Sequence, residues 1–266
     1  MEKLVKSFEQ IKTVHPYVHH ITNGVTMTYC ANMTLAIGGS PAMAHSVDEV
    51  EEMVANMHAL VLNPGTPCEE RVQAMLLAGK RANALGIPVV LDPVAAGATG
   101  FRKKINTKLI EEVAFAVIRG NASEIMTLAG VSSGRGVDVS HDLTFDEAKV
   151  MRLARTLKTV IATSGEVDFI TDGQCKVYCE NGVAMLSEIT GTGCMIASLI
   201  GAGVGAGNDP IDAAILASAV MGIAGEQAYA TVAGERKLGT FSVALFDAVG
   251  MMSRSTLESE AKITDE

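Results

Sequence analysis

The chain predicts an α/β fold: a mostly parallel sheet covered by helices on both faces, with an antiparallel edge. Three observations lead there. Helix-like and strand-like segments alternate from end to end, and the strand-like ones, such as those within 59–65 and 87–94, run apolar over consecutive positions, which marks strands buried on both faces. The composition, 48% hydrophobic with 4% aromatic residues, supplies an aliphatic core sufficient for a single domain over residues 1–266. Finally, Ile189-Thr190-Gly191-Thr192-Gly193-Cys194 runs directly into a long apolar helical pattern. In such a turn the glycines let backbone approach a ligand, and the helix-opening N–H groups bind an anion.

Taken in order, Leu4, Phe8 and Ile11 share one face of an amino-terminal helix, and residues 17–24 read as a strand closing in a polar turn at Asn23-Gly24. His19 and His20 project to opposite faces of that strand and are read as structural. A helix over 26–37 closes at Gly38-Gly39, followed by a short apolar segment at 40–44. Ser46 and Glu49 have capping-box spacing and predict a helix running to about Met57. A strand and turn occupy 59–65, a helix 69–85 and a second buried strand 87–94; the strand at 115–119 then leads into a helix at 125–129. After a polar loop over 132–141 come a helix at 145–157 and a strand at 159–165. Residues 168–178 read as a hairpin turning at Asp172-Gly173, which places antiparallel strands at the sheet's edge. Helices are expected from about Cys194, from Asp209-Pro210 to about Ala230, and over 240–252, and the polar residues beyond Ser255 are expected to fray. Gly201, Gly203, Gly205 and Gly207 lack the preceding strand that a dinucleotide fingerprint needs, so they are assigned to helix packing. The P-loop pattern is absent from the sequence.

Open α/β sheets bind ligands beyond the carboxyl ends of their strands, so the polar residues found there are the candidates. Asn23 offers an amide suited to a heteroaromatic ring or a hydroxyl, although Asn-Gly is also plain turn chemistry. Asp92 ends an otherwise apolar strand, while Asp-Pro equally starts turns. Arg119, Asn121 and Glu124 gather at the next strand–helix junction. Asn121 and Glu124 have the spacing of a simple cap, yet Glu124 together with Asp92 provides two hard oxygen ligands suited to Mg²⁺. Cys194 falls in the first turn of its helix, where the dipole favours a thiolate, and is the candidate base or nucleophile. The alternative is an ordinary buried thiol beside glycines that permit tight packing.

A formal net charge of −9 and the lack of a basic run argue against a nucleic-acid partner. The start alternates charged and apolar residues unlike a signal peptide, and the longest apolar stretches, 193–207 and 213–225, fall short of the ~18 residues of a membrane span. A cytoplasmic protein without membrane contact is expected. The five cysteines, Cys30, Cys68, Cys175, Cys179 and Cys194, are odd in number and follow no metal-ligand spacing, so reduced thiols are the simplest account.

Six segments in order carry a resemblance that covers nearly the whole chain: Ile21-Thr22-Asn23, residues 39–44 (GSPAMA), Leu91-Asp92-Pro93-Val94, residues 118–124 (IRGNASE), residues 163–168 (TSGEVD), and Gly191-Thr192-Gly193-Cys194. The chain resembles the hydroxyethylthiazole kinases of thiamine salvage, within the ribokinase-like fold, a three-layer α/β/α sandwich. A cysteine at the position of Cys194, where related kinases carry aspartate, marks the thiazole kinases. The resemblance implies phosphorylation of the hydroxyl of 5-(2-hydroxyethyl)-4-methylthiazole by ATP. It also implies that Asn23, Met43 and Gly191 line the thiazole site and that Cys194 acts as catalytic base. Arg119, Asn121, Ser164, Thr192 and Gly193 hold ATP, Asp92 and Glu124 manage Mg²⁺, and a homotrimer places sites between subunits. Where the family often has Thr-Gly, this chain has Ser164-Gly165, and the serine hydroxyl keeps the hydrogen-bonding role. The alternatives are another ribokinase-like enzyme, such as a hydroxymethylpyrimidine kinase or an ATP-dependent hydrate dehydratase, or a non-catalytic small-ligand binding protein.

Overall fold

The computed structural model describes residues 1–132 and 145–266, so the polar loop expected over 132–141 lies, from residue 133 on, outside the described residues. In chain order the elements are α1 (Glu2–Val14), β1 (Tyr17–Ile21), α2 (Met27–Ile37), β2 (Ser40–Ala42), α3 (Val50–Ala55), β3 (Ala59–Leu62), α4 (Glu69–Leu85) and β4 (Val89–Leu91). These are followed by α5 (Gly100–Glu112), β5 (Val117–Asn121), α6 (Ala122–Ser132), α7 (Glu147–Leu157), β6 (Val160–Ser164), β7 (Asp168–Thr171), β8 (Val177–Cys179) and a short 3₁₀ turn (Ala184–Glu188). The chain ends with α8 (Thr192–Gly205), α9 (Pro210–Thr231), α10 (Leu238–Gly250), α11 (Arg254–Glu260) and β9 (Ile263–Asp265).

The strands form a sheet ordered β2-β1-β3-β4-β5-β6-β7-β8-β9. Pairing is parallel from β2 through β6 and antiparallel from β6 through β9. Alternate strand residues feed two cores. Val18, Val61, Val90 and Val117 pack with α1, α2 and α8 to α11, whereas Leu60, Leu62, Leu91 and Ile118 pack with α3 to α7. That is the three-layer sandwich the sequence predicts. The predicted hairpin is present, with Phe169 opposite Tyr178 and Gly173 at φ 91° in its turn.

Helix α8 sits against the sheet because its glycines leave room for it. A Cβ at Gly201 would lie 2.5 Å from Val61 Cγ2, and one at Gly203 2.7 Å from Ala213 Cβ. Gly201 and Gly203 serve helix packing, as expected, whereas Gly207 lies beyond the end of α8 at φ 86° with open space around it, so there the glycine serves the chain reversal and not packing. Helix α9 is 22 residues long and by length and composition apolar enough to cross a membrane, longer than its apolar stretch suggests, yet most of it is buried between neighbouring elements.

The structure corrects two expectations about elements and adds one helix that the sequence reading passed over. Ser46 and Glu49 do not form a capping box: the Ser46 hydroxyl takes the Asp48 N–H at 3.3 Å in a local turn, and α3 begins only at Val50. Residues 100–112, which carry no clear apolar periodicity, form α5, capped by the Thr99 hydroxyl accepting from Arg102 N at 3.2 Å and anchored by Ile105 and Leu109. The carboxy terminus does not fray. Ser253 caps α11, Leu257 is fully buried, and β9 pairs with β8 through Tyr178 and Thr264, because the open backbone edge of β8 supplies hydrogen bonds that side-chain polarity does not reveal.

Candidate active site

The parallel strands end along one edge of the sheet, and their ends carry a row of functional groups. Met43 follows β2, Asn23 follows β1, Asn63 follows β3, Asp92 follows β4, and Asn121 and Ser164 close β5 and β6. Helix α8 opens over this row. Gly191 has φ 90°, and a Cβ there would meet Thr26 Cγ2 at 2.8 Å. A Cβ at Gly193 would collide with the Arg119 guanidinium, 2.9 Å from its Cζ. Both glycines are therefore required by position and not merely tolerated.

Arg119 is the third residue of β5, and its guanidinium is buried beneath Gly193. It donates to the Ser164 hydroxyl at 2.6 Å and stands 3.6 Å from Asp92 Oδ1. A cation thus lies under the opening turn of α8, whose N–H groups have no side-chain cap. The Thr192 hydroxyl turns away from them and donates to the Leu186 carbonyl at 3.1 Å. Exposed amides, the helix dipole and a fixed guanidinium together make an anion site. It adjoins a cavity of about 630 Å³, whose lining includes Arg119, Ser164, Asp168, Gly193, Ile196 and Met221. That volume suits a small organic ligand.

On the other side of Arg119 lies a buried polar cluster. Asn63 donates from Nδ2 to Asp92 Oδ2 at 2.8 Å and to Cys194 Sγ at 3.2 Å, and its Oδ1 accepts from Asn23 Nδ2 at 3.0 Å. The Asn23 amide also reaches Thr26 Oγ1 at 2.9 Å and Cys194 Sγ at 3.4 Å. An NH₂ group has only two hydrogens, so the sulfur contact is the weakest of its three. The Asn23 Oδ1 meanwhile caps the approach to α2, accepting from Val25 N and Thr26 N at 3.0 Å each. Turn chemistry and an amide aimed at the site coexist in one side chain.

Electrostatics here differ from the expectation for the thiol. Burial, and then the nearby charge of Asp92, push the Cys194 thiol up to about 12. The direction is opposite to the lowering expected of a helix-opening position, and it favours the thiol over the thiolate at neutral pH. Burial likewise pushes Asp92 up to about 6, against the pull of Arg119, and Asp92 Oδ1 is buried with no hydrogen-bond partner. Glu124 is close enough for its charge to raise Asp92 further. Its own oxygens accept from Ala95 N at 2.7 Å and Asn121 N at 2.9 Å, while the Asn121 Oδ1 accepts from Glu124 N at 2.9 Å. The Asn121/Glu124 pair therefore forms the reciprocal cap that its spacing allowed. Among the described residues, no group of three or more His, Cys, Asp or Glu side chains is placed to hold a metal.

Of the residues read from the sequence, Asn23, Asp92, Arg119, Ser164, Gly191, Gly193 and Cys194 converge, and Asn121 and Glu124 border them. Met43 stands apart: its carbonyl approaches His45 Nδ1 at 3.4 Å, at the outer strand of the sheet. His19 and His20 are buried as structural residues, held at Nε2 by the Ala44 carbonyl at 2.8 Å and the Thr34 hydroxyl at 3.1 Å. Asn63 and Asp168 escaped the sequence reading. Asn63-Pro64 ends an apolar strand just as Asp92-Pro93 does, and that parallel was the available signal. Asp168, raised by burial and bonded to Gly165 N at 3.1 Å, begins the hairpin and lines the cavity wall.

Comparison with known proteins places this geometry. Residues 8–255 match the model of the hydroxyethylthiazole kinase family. The chain is 47% identical to a hydroxyethylthiazole kinase of Alkaliphilus oremlandii, over 99% of this chain and 98% of that one, and 49% identical to one of Exiguobacterium sibiricum, over 91% and 93%. The solved hydroxyethylthiazole kinase protein of Pyrococcus horikoshii OT3 superposes with a TM-score of 0.91 at 36% identity over 100% of both chains. A Staphylococcus aureus pyridoxal kinase solved with AMP-PCP and pyridoxal shares the fold, with a TM-score of 0.61 at 15% identity over 80% of this chain and 88% of that one. The row of strand-end groups, the glycine turn and the cysteine behind it are thus those of a chain that belongs to the hydroxyethylthiazole kinase family.

Proposed function

We propose that this protein transfers the γ-phosphoryl group of ATP to the hydroxyl of 5-(2-hydroxyethyl)-4-methylthiazole, giving 4-methyl-5-(2-phosphooxyethyl)thiazole and ADP in thiamine salvage. The observation that carries the reading is the opening turn of α8. It offers uncapped amides and Arg119 toward a cavity on one side, and Cys194 beside Asp92, Asn63 and Asn23 on the other. An anion site between a nucleotide-sized cavity and a polar pocket is the layout that in-line phosphoryl transfer to an alcohol requires.

ATP occupies the cavity, held by Arg119, Asn121 and Ser164, and the amides of Thr192 and Gly193 cradle the migrating phosphate. The thiazole alcohol rests against Asn23, Met43 and Gly191 with its hydroxyl toward Cys194. Because burial keeps the thiol protonated, Cys194 accepts the alcohol proton as its own passes to the ionised carboxylate of the neighbouring Asp92, so the pair takes up one proton and its negative charge is lost. Asp92 and Glu124 are the groups that would hold Mg²⁺, directly or through water. A buried carboxylate oxygen without a hydrogen-bond partner, beside a second carboxylate that destabilises its charge, fits a divalent cation. When bound, Mg²⁺ supplies neutralisation of the phosphate oxygens.

The protein assembles as a homotrimer with sites between subunits. Exposed apolar side chains around α2 and α10 support this: Val25 is 64% and Val243 63% exposed, and Tyr29, which lies 3.7 Å from where a Gly191 Cβ would be, stacks on Phe246 at 6.0 Å. Five free cysteines fit a reducing cytoplasm, and the acidic balance leaves nucleic acid aside. A coupled ADP-release assay with the thiazole alcohol and with a hydroxymethylpyrimidine tests the reading. Turnover with the thiazole alone supports it, turnover with the pyrimidine alone transfers the chain to another substrate class, and none with either removes kinase activity on these alcohols.

A further inference from the structure

Asn181, between β8 and the 3₁₀ turn, lines the cavity together with Gly182 and Val183. Its side chain is fully engaged by other parts of the molecule. The Oδ1 accepts from Lys262 N at 2.7 Å, and the Nδ2 donates to the Glu260 carbonyl at 2.9 Å and approaches Glu226 Oε1 at 3.3 Å. The neighbouring backbone is tied to the same groups: Glu180 N donates to the Lys262 carbonyl at 2.9 Å, and Gly182 N donates to Glu226 Oε1 at 2.9 Å. Lys262 Nζ closes the set on Glu226 Oε1 at 3.0 Å. From below, Gly222 of α9 brings its backbone so close that a Cβ there would lie 2.5 Å from Asn181 Cβ. Glu226, Glu260 and Lys262, which do not line the cavity, thus hold its wall in place.

We propose that the carboxy-terminal segment and Glu226 position the Asn181–Val183 wall for nucleotide binding, so that groups outside the cavity set the affinity for ATP. The inference rests on the reading of that cavity as the ATP site. A wall clamped before binding loses little conformational freedom when the ligand arrives, whereas a released wall must be ordered at the ligand's expense. Lys262 N–H and Glu226 are therefore positioning groups, and neither touches the nucleotide.

Five full-length variants test this. Lys262→Pro deletes the N–H bonded to Asn181, and the extended backbone of Ala261, at φ −69° and ψ 127°, suits the residue before a proline. Glu226→Ala removes the acceptor of Gly182 N. Lys262→Ala keeps the N–H, and Glu226→Gln keeps a carbonyl acceptor. Both deleting variants are expected to raise the KM for ATP and weaken ADP binding about fivefold to tenfold, the scale of one lost hydrogen bond. The kcat and the KM for the thiazole alcohol should stay within about twofold, and the two conservative variants should recover wild-type ADP affinity. A merely structural role would lower all parameters together with the melting temperature. Ala184→Trp, at an exposed position on the cavity wall, separates the two layers of the argument. If it abolishes ADP binding while Lys262→Pro and Glu226→Ala, folded by circular dichroism, bind ADP like wild type, the positioning role is overturned and the cavity assignment stands. If it leaves ADP affinity unchanged, the cavity assignment fails and the positioning role falls with it.

Discussion

Cys194 sits where two amides and a carboxylate meet, and its protonation decides what it does. With the thiol pushed up to about 12, a free thiolate nucleophile is not available at neutral pH, and the role proposed for the sulfur is that of a way-station for a proton. Cys194→Ala is expected to slow turnover by about 10²- to 10⁴-fold, the usual worth of general-base help, while the KM for ATP changes little. Wild-type turnover in that variant would remove the base role. Cys194→Asp, which places a carboxylate ionised at neutral pH at the same position, should stay active in the ADP-release assay. Asp92 carries a pH signature. Its carboxyl is near 6 in the fold and about 3.9 in an unfolded chain. Between those values the native state keeps a proton that the unfolded state releases, so stability falls as pH rises from about 4 to about 6 and is level above. The loss is on the order of 3 kcal/mol without Mg²⁺. Asp92→Asn, neutral throughout, should gain on wild type by that order across this range in urea unfolding with chelator present. A constant difference would contradict it.

At the level of elements, the opening of α8 joins helix geometry to the cation under it. Gly193→Ala drives a methyl into the Arg119 guanidinium, which Ser164 and Asp92 hold from the other side. Turnover and ADP affinity should both fall at least about tenfold, with the helix content by circular dichroism unchanged, since one displaced charge-assisted bond is worth about 1.5–3 kcal/mol. An active Gly193→Ala enzyme would show that the guanidinium is free to move. Elements with strong periodicity or firm punctuation were legible in the sequence, β3 and β4 as apolar runs and α2 through Gly38. Those lacking both were not: α5 is marked only by its Thr99 cap and a few buried residues, and β9 exists because β8, far back in the chain, has a free edge.

For the whole molecule, assembly is the prediction with the widest reach. Sedimentation equilibrium should give three times the 27.8 kDa chain mass. Val243→Glu, among the exposed apolar side chains and away from the described site contacts, should shift that equilibrium toward monomer and raise the KM for the thiazole alcohol. A fully active monomer would dismiss shared sites. Met43 bears on the same question, since in one chain it stands apart from Asn23 and Cys194, while a neighbouring copy is free to complete its setting.

By itself, the sequence determined the layer order, the parallel body with its antiparallel edge, and which strand ends carry polar groups. Those follow from periodicity and turn chemistry, which act over a few residues. Tertiary structure alone decided that Asn63 links Asn23, Asp92 and Cys194, that Arg119 lies under Gly193, and that the thiol keeps its proton. Burial and charge proximity are properties of the folded volume, and residues 131 positions apart, such as Asn63 and Cys194, meet only there.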